Sequence, residues 1–131
     1  MKNADILHSV LHTLLPQLEA DLNEFGFFAA CGGWVKPDLE LEAWRLPEQD
    51  LEDEELVALI RKETGQTVHL NGRVATWLCY SAMVDENEEE NAVIEIKIVG
   101  EKFRYYYYYP FTFEKEKMKW GTPYAEKVPL K

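Results

Sequence analysis

An α+β fold is predicted: a single two-layer domain whose antiparallel sheet of about five strands carries two helices on one face, in the order α-β-β-α-β-β-β. Three observations predict it. Apolar residues recur every three or four positions in two separate segments, which is the helical period. Elsewhere apolar and polar residues alternate, which is the strand period. The extended segments are joined by turns too short for a parallel crossover, so neighbouring strands run antiparallel and the helices bury their stripes on the sheet.

The first helix covers residues 4–23, where Ile6, Leu7, Val10, Leu11, Leu14, Leu18 and Leu22 form one stripe. Pro16 lacks a backbone donor and predicts a kink or break, and Gly26 supplies the stop. Residues 25–35 (FGFFAACGGWV) read as a strand, with Gly32 and Gly33 marking a bulge or a close backbone approach. After the turn at Lys36, Pro37 and Asp38, residues 39–44 alternate, and Pro47 ends the hairpin. The second helix covers residues 51–63. Asp50 serves as its N-cap, acids fill its first turn, Leu56, Leu59 and Ile60 form its stripe, and Gly65 stops it.

The second half is strand-rich. Residues 73–84 form a long strand, with a short extended piece at 67–70 before the Asn71-Gly72 turn. Residues 85–91 (DENEEEN) are an acidic connection. Residues 92–99 alternate, Ile94, Ile96 and Ile98 inward and Glu95 and Lys97 outward. Residues 103–113 then place Phe103, Tyr105, Tyr107, Tyr109, Phe111 and Phe113 on the core face. Arg104, Tyr106, Tyr108 and Thr112 fall on the outer one. Residues 114–131 read as a basic tail that packs over the body or onto a partner, anchored by Trp120 and Tyr124.

Composition bounds the function. In 131 residues there are 24 acidic and 14 basic side chains, for a net charge of -10, with 47% hydrophobic and 13% aromatic residues. This is the make-up of one folded domain rather than of a disordered acidic chain. A pI near 4.7 opposes binding to nucleic-acid phosphates or an anionic membrane through bulk charge. The charge is also uneven: residues 1–100 hold 20 acids and 7 bases, a balance of -13, whereas residues 101–131 hold 4 and 7, a balance of +3. Two cysteines cannot make a disulfide scaffold, so Cys31 and Cys79 are expected as buried thiols in a reducing compartment. With neither a secretory leader pattern nor an apolar run long enough to span a bilayer, a cytoplasmic protein is expected.

Motifs for chemistry are sparse. His8 and His12 sit one helical turn apart but lie off the leucine stripe, without the glutamate that a zinc-protease helix places after its first histidine. No nucleophile elbow, phosphate-binding glycine loop or Cys-x-x-Cys occurs, and no calcium-loop spacing appears among the nine carboxylates of residues 38–55. Neither a cofactor nor a metal is expected, and the chain is read as non-catalytic. The tyrosine run is the strongest local feature, because Tyr and Arg are enriched at binding hot spots. Trp44, in register with Glu40 and Glu42, and Trp34 extend that outer face. The candidate binding residues are therefore Trp44, Glu40, Glu42, Arg104, Tyr106 and Tyr108, and the expected partner is another protein of basic surface, with a homodimer left open.

The segment from Glu24-Phe25-Gly26-Phe27-Phe28 to Trp44, the acid-rich helix after it and the strand ending Tyr105 to Pro110 resemble small immunity proteins of bacterial polymorphic toxin systems. The resemblance implies a non-catalytic protein that neutralises a basic toxin through a charged, aromatic surface, and it carries over no individual residue. Two other readings fit the chain's size: a secretion-type chaperone, and a small-ligand-binding domain or enzyme.

Overall fold

The computed structural model describes residues 2–45, 51–83 and 89–130. Helix α1 (Asn3–Phe25) buries Ile6, Val10, Leu14, Leu18 and Leu22 as one stripe. It runs through Pro16 without the expected break. Pro16 faces solvent, so the His12 carbonyl that loses its helical donor is not sealed in the core. Gly26 ends the helix as expected: at φ 80° it adopts the left-handed conformation, and its N–H donates to the Leu22 carbonyl at 3.0 Å.

Because Phe25 closes α1, the first strand is shorter than the residue pattern suggested. It comprises β1 (Cys31–Val35), followed by β2 (Leu41–Ala43). Helix α2 (Asp53–Thr67) has Asp53, Glu54 and Glu55 in its first turn, where the dipole favours acids. The proposed N-cap Asp50, the strand-ending Pro47 and most of the acidic connection lie outside the described residues. Gly65 does not stop α2. The helix continues two residues further, and the side chains of Thr64 and Thr67 bond back to the carbonyls of Ile60 and Glu63. A 3-10 turn (Leu70–Gly72) replaces the extended piece expected at 67–70, and Asn71 and Gly72 both take positive φ there.

Four long or edge segments complete the sheet after β3 (Ala75–Met83): β4 (Glu90–Ile98), β5 (Phe103–Glu114), β6 (Lys117–Trp120) and β7 (Tyr124–Pro129). The order is β2-β1-β3-β4-β5-β6, with β7 also on β5, and every pairing is antiparallel. The segment read as a tail therefore runs along the outer edge of β5. Its β7 pairs with the first half of β5 and its β6 with the last four residues.

The α+β class with an antiparallel sheet stands, while two details differ. Among the described residues the sheet has seven strands rather than about five. The helices also lie on opposite faces, giving three layers instead of two. On one face α1 packs with Val35, Ala75, Trp77, Cys79, Ile94, Ile96 and Ile98. On the other, Ile60 of α2 meets Leu78 and Ala30, with Leu56, Val57, Trp44 and Tyr80 around them. The cause lies in β3 and β4, whose consecutive residues are buried, so each strand offers apolar surface to both sides. Gly32 and Gly33 make this close packing fit. A Cβ on Gly32 would collide with Ile60, and one on Gly33 with the Glu42 carbonyl, so the expected close approach is real.

Candidate functional site

Helix α2 packs on β1 and β3 and reaches β4 through Arg61, and among the described residues no helix covers the part of that face formed by β5 and β7. The period of two along β5 sends Arg104, Tyr106 and Tyr108 to this open side. Tyr105, Tyr107 and Tyr109 go to the α1 core, where Phe111 is buried, although Phe113 is 46% exposed. On β7, Val128 stands beside Arg104, Glu126 beside Tyr106, and Tyr124 beside Tyr108. The rings stack: Tyr106 and Tyr108 are 6.4 Å apart between centroids, and Tyr108 and Tyr124 are 4.7 Å apart. Partial burial and the nearby Glu126 carboxylate push the Tyr108 phenol up to about 12, so its hydroxyl stays neutral and able to donate.

Beside this stack lies a charge cluster that alternation alone does not reveal. Glu95 was expected to point to water, yet it is 2% exposed. Arg61 of α2 forks onto it, Nε to Oε1 at 3.1 Å and Nη2 to Oε2 at 2.7 Å. Arg104 Nη1 donates to Oε1 at 3.1 Å, and the Tyr80 hydroxyl donates to Oε2 at 2.5 Å. Burial by itself would raise the Glu95 pKa, but these bonds from Arg61, Tyr80 and Arg104 outweigh it and hold the carboxyl below its ordinary value. The same burial and the bond to Glu95 push the Tyr80 phenol far up. One sequence signal could have exposed the site: a lone carboxylate between Ile94 and Ile96, in a strand otherwise rich in Val and Ile.

The six candidate binding residues divide into two groups. Arg104, Tyr106 and Tyr108 come together on β5. Glu40, Glu42 and Trp44 sit at the β2 end, with β1, β3 and β4 between the two groups. Glu40 pairs with Lys36 at 3.2 Å. Glu42 pairs with Arg73 at 3.0 Å, and that guanidinium covers the Trp34 ring at 3.7 Å. Trp34 is buried, its indole donating to the Thr64 carbonyl, so it does not extend an outer face. Trp44 is half-buried against the α2 cluster.

The remaining candidates occupy other places. His8 and His12 are exposed and stack on each other at 5.0 Å. No group of three or more metal-ligating side chains gathers among the described residues. Cys31 and Cys79 are direct cross-strand partners with free thiols. Their mutual hydrogen bond lowers the Cys31 thiol, while that bond and burial push Cys79 up. Trp120 joins the α1 core, whereas Tyr124 belongs to the tyrosine stack.

A groove of about 480 Å³ opens beside Tyr80, with Ala30, Val57 and Met83 among its apolar walls and Asp53 and Glu54 at its acidic end. Tyr80 thus links this groove to the Glu95 cluster and, through it, to the open face. Among the described residues, no helix is long and apolar enough to cross a membrane. No family model, curated protein or solved structure matches this chain.

Proposed function

We propose that this chain is a protein-binding domain whose partner presents a basic surface, acting as immunity proteins do when they neutralise a toxin. The observation that carries this reading is the Tyr106–Tyr108–Tyr124 stack on the β5–β7 part of the sheet, which no helix covers among the described residues. Stacked tyrosines present wide, rigid apolar area with a polar tip and lose little side-chain entropy on binding, which suits hot-spot contacts. Charge selects the partner. A net charge of -10 repels acidic surfaces and steers basic ones into encounter. The groove beside Tyr80 fits a lysine or arginine of that partner, its stem on Val57 and Met83 and its head near Asp53 and Glu54.

The test uses the wild-type chain and a Tyr106→Ser/Tyr108→Ser variant as bait in an extract of the native host. A basic protein retained by the wild type is then purified and its Kd measured against both. The expected outcome is a loss of about 100-fold or more in the variant, two hot-spot tyrosines being worth at least that together. The variant's melting temperature should stay close to that of the wild type. Equal affinity for both chains, or retention of acidic proteins only, would overturn the reading.

A further inference from the structure

The cations of this acidic chain are not spread evenly over its surface. Arg61, Lys97 and Arg104 converge on a cavity of about 270 Å³ between the C-terminal end of α2 and the start of β5, with Thr76 on its wall and Val68 and Val99 at its apolar side. Of the three, Arg61 and Arg104 share a single carboxylate, Glu95. Lys97 instead donates to the Ile98 carbonyl at 2.8 Å. Glu95 and the nearby Glu101, whose charge acts on Lys97, offset two of these three positive charges, which leaves a cationic surplus beside His69 in a protein whose net charge is -10.

We propose that this cavity binds a doubly charged oxyanion, a phosphate monoester carrying a small apolar group. The inference does not rest on the protein-binding reading. Donors remain for such a ligand. Arg61 uses Nε and Nη2 on Glu95 and keeps Nη1, Arg104 uses Nη1 and keeps Nε and Nη2, and the Lys97 ammonium keeps two of its three hydrogens. Guanidinium groups match the oxygens of a phosphate, and the ammonium of Lys97 adds a third positive charge beside them. Burial and the neighbouring Arg104 make the Lys97 charge costly, Glu101 offsets part of that cost, and a bound anion offsets more. Two features oppose the ligand, the Glu101 carboxylate and the carbonyl end of α2, the latter equivalent to about half a negative charge, and the three cations outweigh them together with Glu95. Val68 and Val99 give the organic part of an ester an apolar wall, which free phosphate would leave bare.

Titration of the full chain with inorganic phosphate, phenyl phosphate, phenol and chloride, followed by calorimetry and amide NMR, tests the site. Saturable one-to-one binding of both phosphates is expected, tighter for phenyl phosphate, with shifts at Lys97, Gly100 and Arg104 and none from phenol or chloride. Arg61 and Arg104 brace Glu95, so the diagnostic variant is Lys97→Gln, which leaves every bond to Glu95 in place. It should keep the melting temperature and weaken phenyl phosphate about tenfold or more. Absence of saturable binding by either phosphate, unchanged affinity in Lys97→Gln, or shifts confined to other surfaces would overturn the site. Free phosphate binding as tightly as phenyl phosphate would overturn its assignment to a monoester.

Discussion

Glu95 is a carboxylate that holds a helix to a sheet. Its two oxygens are shared by Arg61 of α2, Tyr80 of β3 and Arg104 of β5, so removing its charge strands two arginines and a phenol together. Because the Arg61 side chain is 39% exposed and that of Arg104 22%, water recovers part of the loss. A Glu95→Gln chain should therefore lose about 2–3 kcal/mol of stability in urea denaturation. Acid should act through the same group. Its folded pKa lies below the ordinary 4.5, so the stabilisation is complete above that value and is lost as pH falls through the lower folded one. Wild type should lose stability more steeply than the Gln variant on acidification below about 4.5, and parallel curves would refute the assignment. At this scale the sequence was half legible. The period of two placed Arg104, Tyr106 and Tyr108 correctly on one face of β5. The same period misplaced Glu95, because alternation assumes that one face of the strand is wet, and at β4 neither is.

The helices were legible as elements because their stripes outweigh local exceptions: five buried leucine-, valine- or isoleucine-type residues carry α1 on past Pro16. Gly65 did not stop α2, since a glycine ends a helix only where the chain must turn left-handed, and here Thr64 is buried and the helix still has a core to cover. The hairpin from β5 to β6 was missed for a chemical reason. Its two-residue turn is Lys115-Glu116, at φ 54° and 66°, where asparagine and glycine are the residues that fit. Nothing in Lys-Glu announces a turn, so residues 114–131 looked like a charged tail. The strain is testable. Lys115→Asn/Glu116→Gly should raise unfolding stability by about 1 kcal/mol with an unchanged denaturant slope, and a destabilised variant would show that these side chains do more than cross the turn.

Over the whole molecule, the uneven charge of the chain becomes a spatial polarity. Among the described residues, 101–130, with 6 bases and 4 acids, begin with the end of the β4–β5 turn and run through β5, β6 and β7 at one edge of the sheet, while the 15 acids and 7 bases of residues 2–45, 51–83 and 89–100 cover the remainder. Two kinds of electrostatics then compete. The short bonds to Glu95 are buried and screened little by salt. The exposed pairs Lys36–Glu40 and Lys119–Glu114 contribute little, so screening them removes little. What salt chiefly weakens is the mutual repulsion of the carboxylate surplus, which opposes the compact state. Raising sodium chloride from about 0.01 to 0.3 M, across which the Debye length falls from roughly 30 Å to well under 10 Å, should therefore raise the melting temperature of the isolated chain. The same salt should slow its association with a basic partner, because steering relies on the field that salt removes. Opposite salt responses of stability and association are what a surplus of surface carboxylates produces when they repel one another and attract a partner. A melting temperature that fell with salt would mean that the surface pairs, and not the surplus, govern the electrostatics of the fold.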